Sequence, residues 1–322
     1  MRVLVTGGAG FIGSHVSERL ASRGDELVIL DSFDRFYDPA IKRRNISELV
    51  DSGRARLVEG DVADAPFLDD AFGSESFDAI VHLAARPGVR PSIERPLEYA
   101  RTNVEGTVAL LELARKTKTR TFILGSSSSV YGDSTPAPFL ETAPADEPIS
   151  PYAGTKRAAE LLSRSHAHLH GLTVACLRLF TVYGPRQRPD LAVHKFARLM
   201  TQGKPIPFYG DGSTERDYTY VTDIVHGVEG AVDWAAKSSL GSFEIFNLGE
   251  SETTSLSRLV EMIGAELGVE PELQHMPAQP GDVRRTFASI DKARTLLGYD
   301  PRTSMEEGIR QFAEWFRRQP AV

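Results

Sequence analysis

Val3-Leu4-Val5-Thr6-Gly7-Gly8-Ala9-Gly10-Phe11-Ile12-Gly13 is the stretch whose reading decides the fold. An apolar, strand-like run passes through glycines at three-residue intervals into residues that suit a helix. Glycines at 7, 10 and 13 allow a tight turn, close backbone approach to a pyrophosphate and close packing of helix on strand. The N-terminus of that helix points partial positive charge at the phosphates. The motif alone is weak, but a second apolar run, Glu26-Leu27-Val28-Ile29-Leu30, ends in Asp31. That is at about the 20-residue spacing of an acid that grips an adenosine ribose. A carboxylate there disfavours a 2'-phosphate, so the expected dinucleotide is NAD rather than NADP.

Outward from this stretch, strand-like runs at 2–6, 27–30, 55–59, 78–84, 120–126 and 173–180 alternate with amphipathic segments. The alternation predicts an α/β fold, a Rossmann-like doubly wound parallel sheet. Open sheets of this kind bind ligands at the loops after their strands. Asp61 and Val62 are therefore expected beside adenine, and Leu83, Ala84 and Ala85 beside the nicotinamide ribose. Beyond residue 180, turn residues and charges interleave with shorter helices, as in 183–189, 209–212 and 281–282. The expected division is a dinucleotide-binding part over 1–180, to which about 222–250 returns, and a smaller C-terminal α/β substrate-binding domain over most of 181–322. Helices over 92–116 and 151–170 are long and amphipathic enough to leave an apolar face for a second copy of the chain, predicting a homodimer.

With 322 residues, 41% hydrophobic and 25% charged, the composition is that of an ordinary globular chain. Net charge is −7 and no basic tract is long enough to neutralise a polyanion, which argues against nucleic acid. No stretch approaches a membrane span, and Met1 leads almost directly into a strand, leaving no room for a secretory signal. The single cysteine, Cys176, lies in an apolar run, excludes an internal disulfide and fits a reducing cytoplasm. The eight histidines are scattered without metal spacing, so no metal is expected.

Tyr152-Ala153-Gly154-Thr155-Lys156 places a phenol and an ammonium one helical turn apart, downstream of the serines at 126–129. A lysine beside a tyrosine favours the phenolate, drawing its pKa down from about 10 toward a value at which it can accept a proton from an alcohol. Tyr-x-x-x-Lys also occurs as a plain surface pair on helices. Together with a dinucleotide turn it points to oxidation of a secondary hydroxyl.

Over essentially its whole length the chain resembles the extended short-chain dehydrogenase/reductase family of nucleotide-sugar epimerases and dehydratases. The resemblance rests on Gly-x-x-Gly-x-x-Gly, Tyr-x-x-x-Lys, Tyr183-Gly184-Pro185, Arg216-Asp217-Tyr218 and Gly281-Asp282. Within that family, 85–90, 180–185 and 279–282 are most similar to the UDP-glucuronate 4-epimerases. The resemblance implies Ser127 as the hydroxyl that bonds the reacting C4 oxygen, Tyr152 as base, and Lys156 orienting the nicotinamide ribose and lowering the tyrosine pKa. It implies a tightly bound NAD, regenerated each turnover, held by Gly7, Gly10, Phe11, Ile12, Gly13, Asp31, Ser32, Asp61, Val62, Leu83, Ala84, Ala85, Asn103, Tyr152 and Lys156. For a UDP-sugar it implies Arg90, Ser127, Ser128, Ser129, Thr181, Arg188, Tyr209, Arg216 and Asp282, with Arg216 at the diphosphate, Asp282 at the uridine ribose and Tyr209 at the uracil.

The reaction follows from what stands in the serine run. Family 4,6-dehydratases carry an Asp-Glu pair after the reactive hydroxyl, where this chain has Ser128 and Ser129, and the related decarboxylases carry glutamate where Ser129 stands. Neither serine can act as that acid or base, which favours 4-epimerisation over elimination or decarboxylation. Thr181, a short hydroxyl residue where many relatives have asparagine, would join Ser127 and Ser128 around a C6 carboxylate and so favour UDP-glucuronate. UDP-glucose remains an alternative. Thr286, small where some relatives carry tyrosine, would admit a 2-acetamido group and keeps UDP-N-acetylglucosamine as another. A non-catalytic NAD-binding protein of the same fold is opposed by the intact Ser127, Tyr152 and Lys156.

Overall fold

The computed structural model describes residues 1–277 and 285–319. Six strands arise where the apolar runs predict them: β1 (Arg2–Thr6), β2 (Glu26–Asp31), β3 (Ala55–Glu59), β4 (Ala79–His82), β5 (Thr121–Ser127) and β6 (Thr173–Leu179). A seventh, Phe243–Leu248, pairs with β6 along the edge. The sheet runs from Phe243–Leu248 through β6, β5, β4, β1 and β2 to β3, and every pairing in it is parallel. The order reverses between β1 and β4, so the loops leaving those two strands diverge and open a crevice at their carboxyl ends. Val3, Leu4, Val5, Ile80, Val81, Phe122 and Ile123 have no exposed surface, because helices cover both faces of a parallel sheet.

Helix α1 (Phe11–Ser22) starts at Gly10 directly after the turn from β1. Gly7 has φ +69°, and a Cβ there would lie 2.6 Å from the Ala84 nitrogen; a Cβ on Gly13 would run into the Gly7 carbonyl. Only glycine permits both contacts. Helices α2 (Pro39–Asp51) and α3 (Ala65–Phe72) follow β2 and β3, each with proline in its first turn and an aspartate, Asp38 or Asp64, capping its N-terminus.

Between β4 and β5 the expected continuous helix over 92–116 is broken. Pro96 lacks an N–H and constrains the residue before it, so α4 (Val89–Glu94) ends and α5 (Pro96–Tyr99) begins across Arg95. A π-turn over Ala100–Glu105 then leads into α6 (Gly106–Thr117). The widened turn carries Asn103, whose side chain accepts from Arg86 N at 2.7 Å and donates to Arg86 O and to Thr155 Oγ1, each at 3.1 Å. It thereby ties the loop after β4 to α7 (Pro151–His170). The Ser150 hydroxyl caps α7, Pro151 starts it and Gly171 in the left-handed region ends it.

The chain leaves the sheet after β6: Thr181–Tyr183 pairs with Tyr218–Tyr220 instead, and Ile206–Tyr209 pairs with Leu273–Met276. It returns with the helix Val221–Lys237, packed on α1, β5 and β6, and then the edge strand Phe243–Leu248.

Beneath the carboxyl end of β5 lies a fully buried ion pair. Arg178 donates from Nε and Nη2 to the two Glu160 oxygens, each at 2.9 Å, and both residues have no exposed surface. Ser126 donates to Glu160 at 2.6 Å, and the guanidinium stands 4.6 Å from the Tyr131 ring centre. Burial pushes the Glu160 carboxyl up, but its bonds to Arg178 outweigh that and hold it below the usual carboxylate range. Arg178→Met should cost about 3–5 kcal/mol in urea unfolding because it removes the two-pronged partner of a buried carboxylate, leaving it only Arg157 and Ser126, and adding Glu160→Gln should recover part of the loss. A cost below about 1 kcal/mol for the single variant would instead mark the pair as water-accessible.

Candidate active site

A cavity of about 420 Å³ occupies the crevice at the carboxyl ends of the strands. From the dinucleotide set it gathers Gly7, Gly10, Phe11, Ile12, Gly13, Asp31, Ser32, Asp61, Val62, Leu83, Ala84 and Ala85; from the reactive set Ser127, Ser128, Ser129, Tyr152, Lys156, Thr181 and Arg188. Its lower rim is the glycine turn, where the missing Cβ atoms leave backbone exposed to a pyrophosphate. Asp31 ends β2 with both oxygens engaged, accepting from Ala9 N at 3.1 Å and Phe33 N at 2.9 Å. Burial raises its pKa while the nearby Lys42 ammonium and those N–H donors pull it down. Each oxygen keeps lone pairs for a ribose hydroxyl.

At the other end, Ser127 finishes β5 in extended conformation and caps a single turn over Ser128–Tyr131. Its hydroxyl accepts from Ser129 N and donates to Ser129 Oγ, each at 3.2 Å, and it is the group that most pulls the Tyr152 phenol's pKa down. The Ser150 cap and a hydrogen bond from Tyr152 N to Ser92 Oγ at 3.1 Å hold Tyr152 in the first turn of α7.

The electrostatics differ from the expectation that Lys156 lowers the tyrosine. Burial raises the Tyr152 pKa above its ordinary value, and the groups that pull it down are the Ser127 hydroxyl and the Arg188 charge. Lys156 donates from Nζ to the Gly125 carbonyl at 2.8 Å, and burial brings it down to about 8, opposed by Glu160. The ammonium is thus anchored to the backbone of β5.

Arg188 lies in the cavity wall with its fork closed on Asp190, Nε to Oδ1 at 3.0 Å and Nη2 to Oδ2 at 2.8 Å, and its guanidinium beside the Phe36 ring. Thr181 lines the cavity as expected and donates its N–H to Asp217 O at 3.0 Å.

Other expected ligand residues lie off the cavity wall. Asn103 is spent on the clamp described above. Arg90 stands over the Tyr209 ring at 5.1 Å, pairing two residues assigned separately to substrate. Arg216 sits in the short strand Glu215–Arg216 and donates to Glu215 O at 2.9 Å. Asp282 falls outside the described residues. Thr286 is buried and accepts from Asp217 N at 3.1 Å.

The sequence reading passed over Asp34, Phe36, Tyr37, Lys42 and Arg86, all of which line the cavity. For Asp34, Phe36 and Tyr37 the signal was available in position: the acidic and aromatic run 32–38 follows β2 directly, at the ligand-binding edge of the sheet.

Among the described residues the carboxylates lining the cavity are Asp31, at the end of β2, and Asp34 and Asp61, in the loops after β2 and β3. The end near Tyr152 presents hydroxyls, an ammonium and a guanidinium. That set can take a proton from an alcohol and give it back, but holds no carboxyl to drive out a leaving group.

The chain matches the family model described as GDP-mannose 4,6 dehydratase over residues 4–312. It is 42% identical to UDP-glucuronate 4-epimerase 1 of Arabidopsis thaliana over 98% of this chain and 76% of that protein. The crystal structure of UDP-glucuronic acid 4-epimerase from Bacillus cereus with UDP-glucuronic acid and NAD superposes with a TM-score of 0.90 at 33% identity, over 99% of both chains. UDP-glucose 4-epimerase of Thermotoga maritima, solved with UDP-glucose, superposes at 0.89 with 32% identity, again over 99% of both.

If Asp31 sets the choice of dinucleotide, Asp31→Asn should raise the affinity for NADP relative to NAD roughly tenfold, since the charge opposing a 2'-phosphate is gone. Equilibrium binding of the two dinucleotides to both proteins measures that ratio; an unchanged ratio would place the discrimination elsewhere.

Proposed function

The chain belongs to the GDP-mannose 4,6 dehydratase family, and from that premise we propose that it is an NAD-dependent isomerase that interconverts UDP-glucuronate and UDP-galacturonate by inversion at C4. The observation that carries the reading is the distribution of acids in the cavity. The family's eponymous elimination needs carboxyls at the sugar, and here Ser127, Ser128, Ser129 and Thr181 stand around the reactive tyrosine.

The glycine turn, Asp31, Ser32 and the loops after β3 and β4 hold NAD, a fit supported by the Cβ-free cradle at Gly7 and Gly13. Bound there, NAD supplies reversible hydride storage, so no net redox change occurs. Tyr152 accepts the C4 hydroxyl proton and later returns it, and Ser127, whose hydroxyl draws the phenol's pKa down, steadies the oxygen through the change. Lys156, held by the Gly125 carbonyl in the cavity wall, would orient the nicotinamide ribose. The Arg188 charge also pulls the phenol's pKa down. Ser127, Ser128, Thr181 and Arg188 hold the C6 carboxylate; held still, its carbon–carbon bond stays out of line with the 4-keto group and carbon dioxide is retained.

In this reading residues 1–180 with 222–250 bind NAD, and the rest of 181–322 binds the UDP portion. Ile93, Leu97, Leu161 and Leu169 are exposed on α4, α5 and α7, which supports a homodimer through those helices. No helix among the described residues is long and apolar enough to cross a membrane. We place the enzyme in the cytoplasm, a placement supported by its single, buried and unpaired cysteine.

Incubation with UDP-glucuronate, UDP-glucose and UDP-N-acetylglucosamine, followed by product NMR, should show C4 inversion of the first as the preferred reaction without accumulation of NADH. A UDP-pentose or a 4-keto-6-deoxy product would reject the proposal. Tyr152→Phe should lower kcat by roughly 10²–10⁴ while the protein still binds NAD. Thr181→Ala and Arg188→Ala should weaken UDP-glucuronate more than UDP-glucose, by about 1.5–3 kcal/mol for the charged contact; equal losses on both sugars would remove the carboxylate assignment.

A further inference from the structure

Far from the cavity, three side chains with metal-ligand chemistry converge where α6 and α7 pack together. Glu112 comes from α6; His166 and His170 stand one turn apart on α7, near its end. One ligand atom from each lies within 4.8 Å of the others. Tyr152, at the opposite end of α7, is roughly 20–27 Å away by helix rise alone, so this cluster is no part of the reactive site. The scattered histidines of the sequence conceal it, because the third ligand lies 54 residues upstream of His166 on another helix.

The hydrogen bonding around His166 is what marks the cluster. Its Nδ1 lies 3.1 Å from the Leu162 carbonyl, which can only accept, so Nδ1 carries the proton. In the neutral ring Nε2 is then a lone pair, yet it faces Glu112 Oε1 at 3.0 Å. Two lone pairs at that distance require a positive centre, either a second proton on the ring or a cation shared between them. His170 brings a third donor to the same place, its ring set edge-on to that of His166 with centroids 5.3 Å apart. The second oxygen of Glu112 is already taken, accepting from Arg115 Nε at 3.0 Å and Nη2 at 2.8 Å, which orients the carboxylate and leaves Oε1 for the shared centre. A carbonyl behind the imidazole and a donor behind the carboxylate are the supports that metal ligands use.

We propose that Glu112, His166 and His170 form a binding site for one divalent, imidazole-preferring transition ion of the zinc class, with water completing four-coordination, that clamps α6 to α7. Ligand atoms about 2.0–2.2 Å from a tetrahedral ion are about 3.3 Å from each other, close to the Glu112–His166 separation. His170 is the last residue of α7, before Gly171 in the left-handed region, where a small shift closes the third contact. The carbonyls at the end of α7 favour a cation. Against it stand Lys118 and Arg120, which line a cavity of about 200 Å³ shared with both histidines; the nearer Arg115 spends its charge on Glu112. Two imidazoles and one carboxylate select zinc, copper or nickel over magnesium or calcium.

Tag-free protein, freed of metal with chelator and dialysed, is titrated with zinc in a calorimeter and with cobalt by visible absorption, alongside His166→Ala, His170→Ala and Glu112→Gln. The expected result is one ion per chain, the visible bands of four-coordinate cobalt, a zinc-dependent rise in Tm, and at least a tenfold loss of affinity in each histidine variant. His170 is exposed, so its variant keeps the fold if His166→Ala does not. No binding step, or binding that survives both histidine substitutions, overturns the proposal and leaves Glu112 and His166 as an ordinary imidazolium–carboxylate pair.

Discussion

The buried Glu160–Arg178 pair is the constraint on which the site's geometry depends. Tyr152, Lys156 and Glu160 follow each other at four-residue intervals and share one face of α7. Glu160 locks that face to β6 through Arg178 and to β5 through Ser126, whose neighbour Gly125 receives the lysine while its other neighbour, Ser127, pulls down the pKa of the tyrosine. Helix position and strand end are therefore set by one interaction. Such a pair contributes little net stability once desolvation is counted. Its value lies in the register it imposes: a quarter turn of α7 would separate phenol from serine.

The second determinant is the partition of charge along the cavity. Carboxylates stand at the end of β2 and in the loops after β2 and β3, where a ribose hydroxyl is the natural partner. The hydroxyls of Ser127, Ser128, Ser129 and Thr181, with Lys156 and Arg188, stand at the end beyond β5 and β6, while Lys42 and Arg86 accompany the carboxylates. Burial raises Tyr152 above its ordinary value, and Ser127 and Arg188 are the groups that pull it back down. Asp190 closes the Arg188 fork and so moderates the charge that the tyrosine and the substrate both feel.

Much of this was legible in the sequence, for identifiable reasons. The glycine turn, the six strands and the Tyr152–Lys156 spacing are local patterns, each read within a dozen residues. What escaped depends on distant partners. The edge strand Phe243–Leu248 joins β6 only after a long excursion of the chain. Lys156, expected as the tyrosine's partner from spacing alone, donates to the Gly125 carbonyl, 31 residues upstream. Arg90 and Tyr209, given separate duties, meet each other, and Thr286 bonds the Asp217 backbone. Pro96 did announce the break in the helix over 92–116, but the amphipathic pattern on either side of it masked the signal.

The central claim is that one cavity removes hydride from C4 and restores it to the same carbon. UDP-glucuronate deuterated at C4 tests this most directly, with the label followed by NMR through many turnovers in ordinary water. The account predicts product inverted at C4 with its deuterium still on that carbon and no exchange at C5. Loss of the label to solvent, or its transfer to another carbon, would contradict it.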